Sequence, residues 1–284
     1  MLRMRVALLG CLVATPAWGW WGDGHAILTR GAVQALPEEM PRFFRAGAAV
    51  VANCVYDPDV FKNRDVPHLK SAEHPEHYYD HELLEGRALP PTRHEFLELC
   101  AEVGREADRV GLLPYAVVEW TERLALALAE HRRWPANRHI QSKCLVYAGH
   151  LAHYAQDLCQ PLHLTIHFDG RAREDGSSPH SGIHEKVDAL VERQGWSPTD
   201  LARPMEVDAA DELWPLVRAE LERSRALVDR IYGLEEELAD PGSAAARSFG
   251  DERARASVRF TAALFLTAWK LSEQIELPGW LKRD

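Results

Sequence analysis

Residues 150–163 place His150, His153, Asp157 and His163 within fourteen positions, in a His-x3-Asp-x2-Gln-Pro-Leu-His run. On a helix, positions three and four apart are neighbours, so His150, His153 and Asp157 share one face. His153 and Asp157 are four apart, a spacing that lets two side chains grip one ion. Pro161 ends such a helix, because proline has no N–H to donate and disfavours a helical predecessor. His163 then sits on a turn that can fold over the same ion. Alone, one such pair is better explained by an ion pair on a helix surface.

The pattern recurs. His184 and Asp188 are again four apart, inside Gly182-Ile183-His184-Glu185-Lys186-Val187-Asp188. Imidazole and carboxylate without thiolate suit zinc in a catalytic site. Near the start, Trp20-Trp21-Gly22-Asp23-Gly24-His25 brings in an early histidine between flexible glycines. If the chain is cut before Trp20, the freed α-amine (pKa about 7.7–8) becomes a nitrogen ligand near neutral pH. Asp57-Pro58-Asp59-Val60-Phe61-Lys62 and His74-Pro75-Glu76-His77-Tyr78-Tyr79-Asp80 add acids and a histidine. Alone, this polar region reads as an exposed loop.

Helices must carry these groups. Glu95–Val110, Pro114–His131, Asn137–Leu158, Leu213–Leu234 and Ala244–Gln274 show apolar residues at three- and four-residue intervals and are rich in Ala, Leu, Glu and Arg. Alternating Val- or Ile-rich segments are scarce, and no internal repeat occurs. Stretches with Pro and Gly, such as Leu89-Pro90-Pro91 and Asp169–Gly182, fall between the helices. The expected fold is all-α, a single mostly helical domain over residues 20–284. Its loops are expected to bring His and Asp into one cleft.

With 284 residues, 46% of them hydrophobic, the chain can bury a sizeable core. A net charge of −10 disfavours bulk attraction to a polyanion, although metal ions can still bind phosphate locally. Fourteen histidines are many for this length. Arg3 and Arg5, the apolar run Val6–Ala14 and the small residues around Ala17-Trp18-Gly19 form a signal-peptide pattern over residues 1–19. Cleavage before Trp20 and a secreted or periplasmic location are expected. Leu8-Leu9-Gly10-Cys11 offers a competing lipidation site. No other segment is long and apolar enough to span a membrane, and nothing points to a protein partner. Cys54, Cys100, Cys144 and Cys159 lack a Cys-x2-Cys pair, which argues against a cysteine zinc site. Export permits disulfides among them, in any of three connectivities.

Taken together, these motifs resemble the superfamily of zinc-dependent phospholipases C and single-strand-specific zinc nucleases. The resemblance spans roughly residues 20–190 and rests on the order of the motifs: the Trp after the leader, an early His, an Asp, His-aromatic-x-Asp, His-x3-Asp-x2-Gln-Pro-Leu-His and Gly-x-His-x3-Asp. It implies three Zn2+ ions per chain. One would take Asp59, His77, His153 and Asp157, and a second His163, His184 and Asp188. The third would take the amine and carbonyl of Trp20 with His25 and Asp157, so that Asp157 bridges two ions. That role for Trp20 argues against lipidation at Cys11.

Asp59 is favoured over Asp57 because Lys62 follows it by three, where the nuclease branch has a phosphate-contacting Arg; the change to Lys leaves a point charge there. His68, His74 and His150 have no counterpart. The implied reaction is cleavage of a phosphodiester by a metal-bound hydroxide, with Asp59 orienting or deprotonating the nucleophile. The substrate is a phospholipid headgroup or a single-stranded nucleic acid. Tyr78 and Asp80 fall where an aromatic and an acid flank a base in the nucleases, and Asp23 where a phospholipase carries an acid near choline. The competing reading is a helical protein that binds zinc or a phosphate-bearing ligand without turnover.

Overall fold

Asn137 starts the helix on which the site is built. Its side-chain oxygen accepts the N–H groups of His139 and Ile140, two donors that the first turn leaves free. The computed structural model describes residues 20–283; the expected leader and the Cys11 alternative lie outside the described residues. In chain order the α-helices are α1 (Gly22–Ala35), α2 (Arg42–Ala46), α3 (Ala48–Cys54), α4 (Asp57–Phe61) and α5 (Pro67–Glu73). Then follow α6 (Arg93–Glu102), α7 (Ala107–Val110), α8 (Leu113–Arg133), α9 (Arg138–Cys159) and α10 (Ile183–Asp188). The remainder are α11 (Leu190–Gln194), α12 (Pro198–Ala202), α13 (Leu213–Arg225), α14 (Val228–Gly233) and α15 (Ala244–Leu271). Short 3₁₀ turns lie at His74–His77 and Pro161–Leu164, among others. No β-strand occurs among the described residues, in line with the all-α expectation.

Helices α8, α9 and α15 match their expected stretches within a few residues. Two expected helices are interrupted. Glu95–Val110 breaks after α6, where Gly104 takes a left-handed φ of +69° that ends a helix at little cost. Leu213–Leu234 breaks between α13 and α14, at Ala226 and Leu227, which keep near-helical dihedrals and carry no glycine or proline. The polar stretch 57–77, readable as a loop, is mostly helical: Pro58 and Pro67 sit at helix starts, where a missing N–H costs nothing.

Two apolar clusters form the core. One gathers residues of α3, α8, α9 and the second half of α15, including Val51, Leu128, Leu151, Tyr154 and Phe265. The other joins Trp20, Leu28, Ile183, Val187 and Leu190 to the N-terminal part of α15, from Ala246 to Val258. Leu162 belongs to one and Leu164 to the other, so His163 lies at their seam. The four cysteines are buried and unpaired, so none of the three possible disulfide connectivities is formed. No helix of the described residues is long and apolar enough to cross a membrane.

Candidate metal centre

Asp157 is fully buried in the last turn of α9, and its two oxygens face different histidines. Oδ2 lies 3.1 Å from His77 Nδ1 and 3.4 Å from His153 Nε2. Oδ1 lies 3.5 Å from His25 Nε2 and 3.8 Å from His163 Nδ1. His153 Nε2 is also 3.8 Å from Asp59 Oδ1. A second group stands beside this one: His184 Nε2 is 3.3 Å from Asp188 Oδ2, and the His163 and His184 rings are 5.0 Å apart. Three buried sets therefore arise, each with donor atoms within 4.8 Å of one another: Asp59, His77 and His153; His163, His184 and Asp188; and His25, His153 and Asp157.

The first set gathers three of the four residues assigned to one ion, Asp59, His77 and His153, and the second gathers His163, His184 and Asp188, the three assigned to another. The third set places His25 beside Asp157, with His153 as its third side chain. The His25 and His153 rings stack at 4.3 Å, which puts both beside Asp157. Trp20 offers no side-chain ligand here. It is fully buried, its indole Nε1 donating to the Gln156 carbonyl at 3.1 Å, and the next N–H, of Trp21, donates to the Asp188 carbonyl at 3.3 Å. Trp20 and Trp21 are thus bonded to the backbone of Gln156, next to Asp157, and of Asp188.

Helix ends and turns aim the imidazoles. His153 Nδ1 donates to the Val55 carbonyl at the end of α3 (2.8 Å), and His163 Nδ1 to the His77 carbonyl (2.7 Å). His25 Nδ1 donates to Gln156 Oε1 at 2.7 Å, while the Gln156 amide holds Thr29 Oγ1 at 2.9 Å. In each ring the N–H is thus spent outward, leaving the Nε2 lone pair for an ion. Gln160 shapes the turn after α9: its Oε1 accepts the Leu162 N–H at 2.6 Å and its Nε2 donates to Asp188 Oδ1 at 2.7 Å. Asp169 Oδ1 accepts the N–H groups of Gly182 (2.8 Å) and His184 (3.3 Å), which fixes the start of α10.

The electrostatics fit cations. Burial lowers the pKa of His25, His163 and His184, so these rings are neutral donors. Burial also lowers His153, but Asp157 and Asp59 outweigh it and raise the net value. Burial is the largest single influence on Asp157 and Asp59 and pushes both up, but the neighbouring charges together, His153 foremost with His163 at Asp157 and Lys62 at Asp59, outweigh it and hold both low. Burial raises Asp188 well above the ordinary range, because Gln160 alone does not replace water. Lys62 Nζ, 2.6 Å from Asp59 Oδ1, is the ammonium at the cluster. His25 Nε2, His163 Nε2, Asp157 Oδ1 and both nitrogens of His184 are buried without a hydrogen-bond partner among the described residues. Orphaned buried donors of this kind are costly in a protein and ordinary at a metal site. The residues present therefore fit metal ions, and an imidazole and carboxylate set without thiolate fits zinc.

Other singled-out residues fall elsewhere. Asp57 Oδ2 faces His150 Nε2 at 3.3 Å, and His150 packs on Trp120 at 4.6 Å. Asp59, not Asp57, thus reaches the cluster, and His150 stays outside it. Asp23 is exposed and accepts from the Tyr56 hydroxyl at 2.7 Å. The Tyr78 hydroxyl donates to the Asp108 carbonyl. Asp80 is partly buried, and its carboxyl is pushed up to about 8 by burial and by nearby Glu82. None of these three is hydrogen-bonded to a cluster side chain among the described residues. Sequence reasoning missed Glu73, Gln156, Gln160 and Asp169. Gln156 and Gln160 lie inside or beside the histidine run, whereas Glu73 carries only its four-residue spacing to His77.

No protein-family model matches the chain, and no curated protein matches it. Among solved structures, the alpha toxin from Clostridium absonum aligns with a TM-score of 0.44 and 12% identity, over 90% of this chain and 66% of that one. Clostridium perfringens alpha-toxin from avian strain SWCP aligns with a TM-score of 0.45 and 12% identity, over 91% of this chain and 67% of that one. The chain thus spans about two thirds of the length of each toxin. At this level no residue's role transfers from either.

Proposed function

We propose that this chain is a zinc-dependent phosphodiesterase of the phospholipase C and single-strand nuclease type, exported and cut before Trp20. The observation that carries the reading is Asp157: a fully buried carboxylate whose two oxygens face separate histidine sets. A surface ion pair needs neither that burial nor that many imidazoles.

Asp59, His77, His153 and Asp157 would hold one ion, and His163, His184 and Asp188 a second. His25 and Asp157 would hold a third together with the freed amine and carbonyl of Trp20. The burial of Trp20 against Gln156, next to Asp157, supports this role for its backbone. When bound, the ions supply Lewis acidity toward phosphate oxygens and lower the pKa of water. Asp59 orients the attacking water through its carboxylate. The Lys62 ammonium, beside Asp59 Oδ1, adds positive charge where a phosphate oxygen would lie. Gln156 and Gln160 keep His25 and Asp188 from turning away. Asp23, two residues before His25, and Tyr78 and Asp80, just after His77, are the residues we assign to contact with the rest of the substrate.

A side-by-side assay of single-stranded DNA, single-stranded RNA and phosphatidylcholine vesicles tests the reading. Chelator-sensitive release of nucleotides or of phosphocholine is expected, and the product identifies the substrate class. Zinc-loaded protein that cleaves none of the three, yet binds them, would favour the non-catalytic alternative.

A further inference from the structure

Glu73 closes α5, four residues before His77, and its side chain is 11% exposed. Its Oε1 stands 3.4 Å from His77 Nε2, and the Tyr154 hydroxyl donates to the same oxygen. The opposite nitrogen of that ring, Nδ1, is 3.1 Å from both Asp157 Oδ2 and His153 Nε2. The imidazole of His77 thus lies between a carboxylate on one side and the cluster on the other, with Nε2 buried near Glu73 and making no hydrogen bond of good geometry to it.

This anchoring differs from that of its neighbours. His153 and His163 donate to backbone carbonyls, and His25 donates to a neutral amide. Among these four rings, His77 is the one that faces an anion with its outward nitrogen. A neutral imidazole carries one N–H. With that proton on Nε2, facing Glu73, the Nδ1 lone pair faces inward. A carboxylate behind a histidine also makes the ring a stronger donor. Tyr154 follows His153 on α9, so the Glu73 carboxylate ties α5 to the helix that carries the cluster.

We propose that Glu73 is a positioning residue of the metal centre: it fixes His77 in the Nε2–H form and strengthens its Nδ1 as a ligand, while Tyr154 holds the carboxylate in place. This rests on the metal-centre reading given above. The chain beginning at Trp20 is compared as wild type, Glu73→Gln and Tyr154→Phe. Zinc affinity is measured by competition with a chelating dye, and thermal unfolding is measured on the metal-free forms. Glu73→Gln should weaken one zinc by about 10–100-fold, the usual cost of losing such a partner, with metal-free unfolding unchanged and full loading restored at higher zinc. Tyr154→Phe should weaken the same zinc by less.

If Glu73→Gln does not fold, Tyr154→Phe alone decides, since it keeps the carboxylate and frees it. Wild-type affinity in a folded Glu73→Gln protein overturns the proposal. So does a loss that merely tracks lower metal-free stability. Wild-type protein that takes up no zinc overturns the metal-centre reading, and this proposal with it. Tight wild-type uptake left untouched by Glu73→Gln overturns this proposal alone.

Discussion

Asp157 sets one buried carboxylate between two groups of histidines. Its spacing from His153 suggested a shared ion, but a helix-surface pair has the same spacing. Only burial separates the two, and burial depends on what packs over α9. The choice of Asp59 over Asp57 follows the same rule: two positions apart on a short helix, one carboxylate turns to His153 and the other to His150. Glu73 left too little trace to be found, because Glu-x3-His is common on exposed helices. Replacing Asp157 with Asn keeps the shape but removes the charge shared by the two histidine sets. The expected outcome is a folded protein with activity lower by orders of magnitude and less zinc bound. Kinetics and metal analysis of Asp157→Asn check this; normal turnover would exclude a bridging carboxylate.

Elements were legible where periodicity was long. α8, α9 and α15 could be drawn from apolar spacing because one face of each meets a core. The α13–α14 break could not, since neither Ala226 nor Leu227 is a helix breaker. The short helices α4 and α5 were hidden by their polarity. Packing of α3 on α9 sets the site: a Cβ on Gly149 would lie 2.5 Å from Cys54 Cβ and 2.9 Å from the Val51 carbonyl oxygen. Neither atom can rotate out of the way. Four residues on, His153 depends on the Val55 carbonyl just beyond α3. Gly149→Ala should cost about 1–3 kcal/mol through overpacking. Thermal unfolding should show a midpoint lower by several degrees, with zinc bound more weakly; an unchanged midpoint would mean that α3 is free to shift.

At the scale of the whole molecule, the cluster sits where two apolar cores meet, with α1 and α15 running through both. That arrangement gathers ligands from residues 25 to 188 and keeps water from their charges. The helical class was readable from composition and periodicity. The seam was not, because it is made by contacts between segments far apart in the chain. In the proposed site three buried His and Asp sets hold zinc, one of them completed by the Trp20 amine. Metal analysis of the chain beginning at Trp20, after zinc reconstitution and removal of loose ions, tests it most directly. About three zinc ions per chain are expected, falling to about two when a methionine is retained before Trp20. No bound zinc in the first case would contradict the site itself, and equal loading of the two chains would contradict the part given to Trp20.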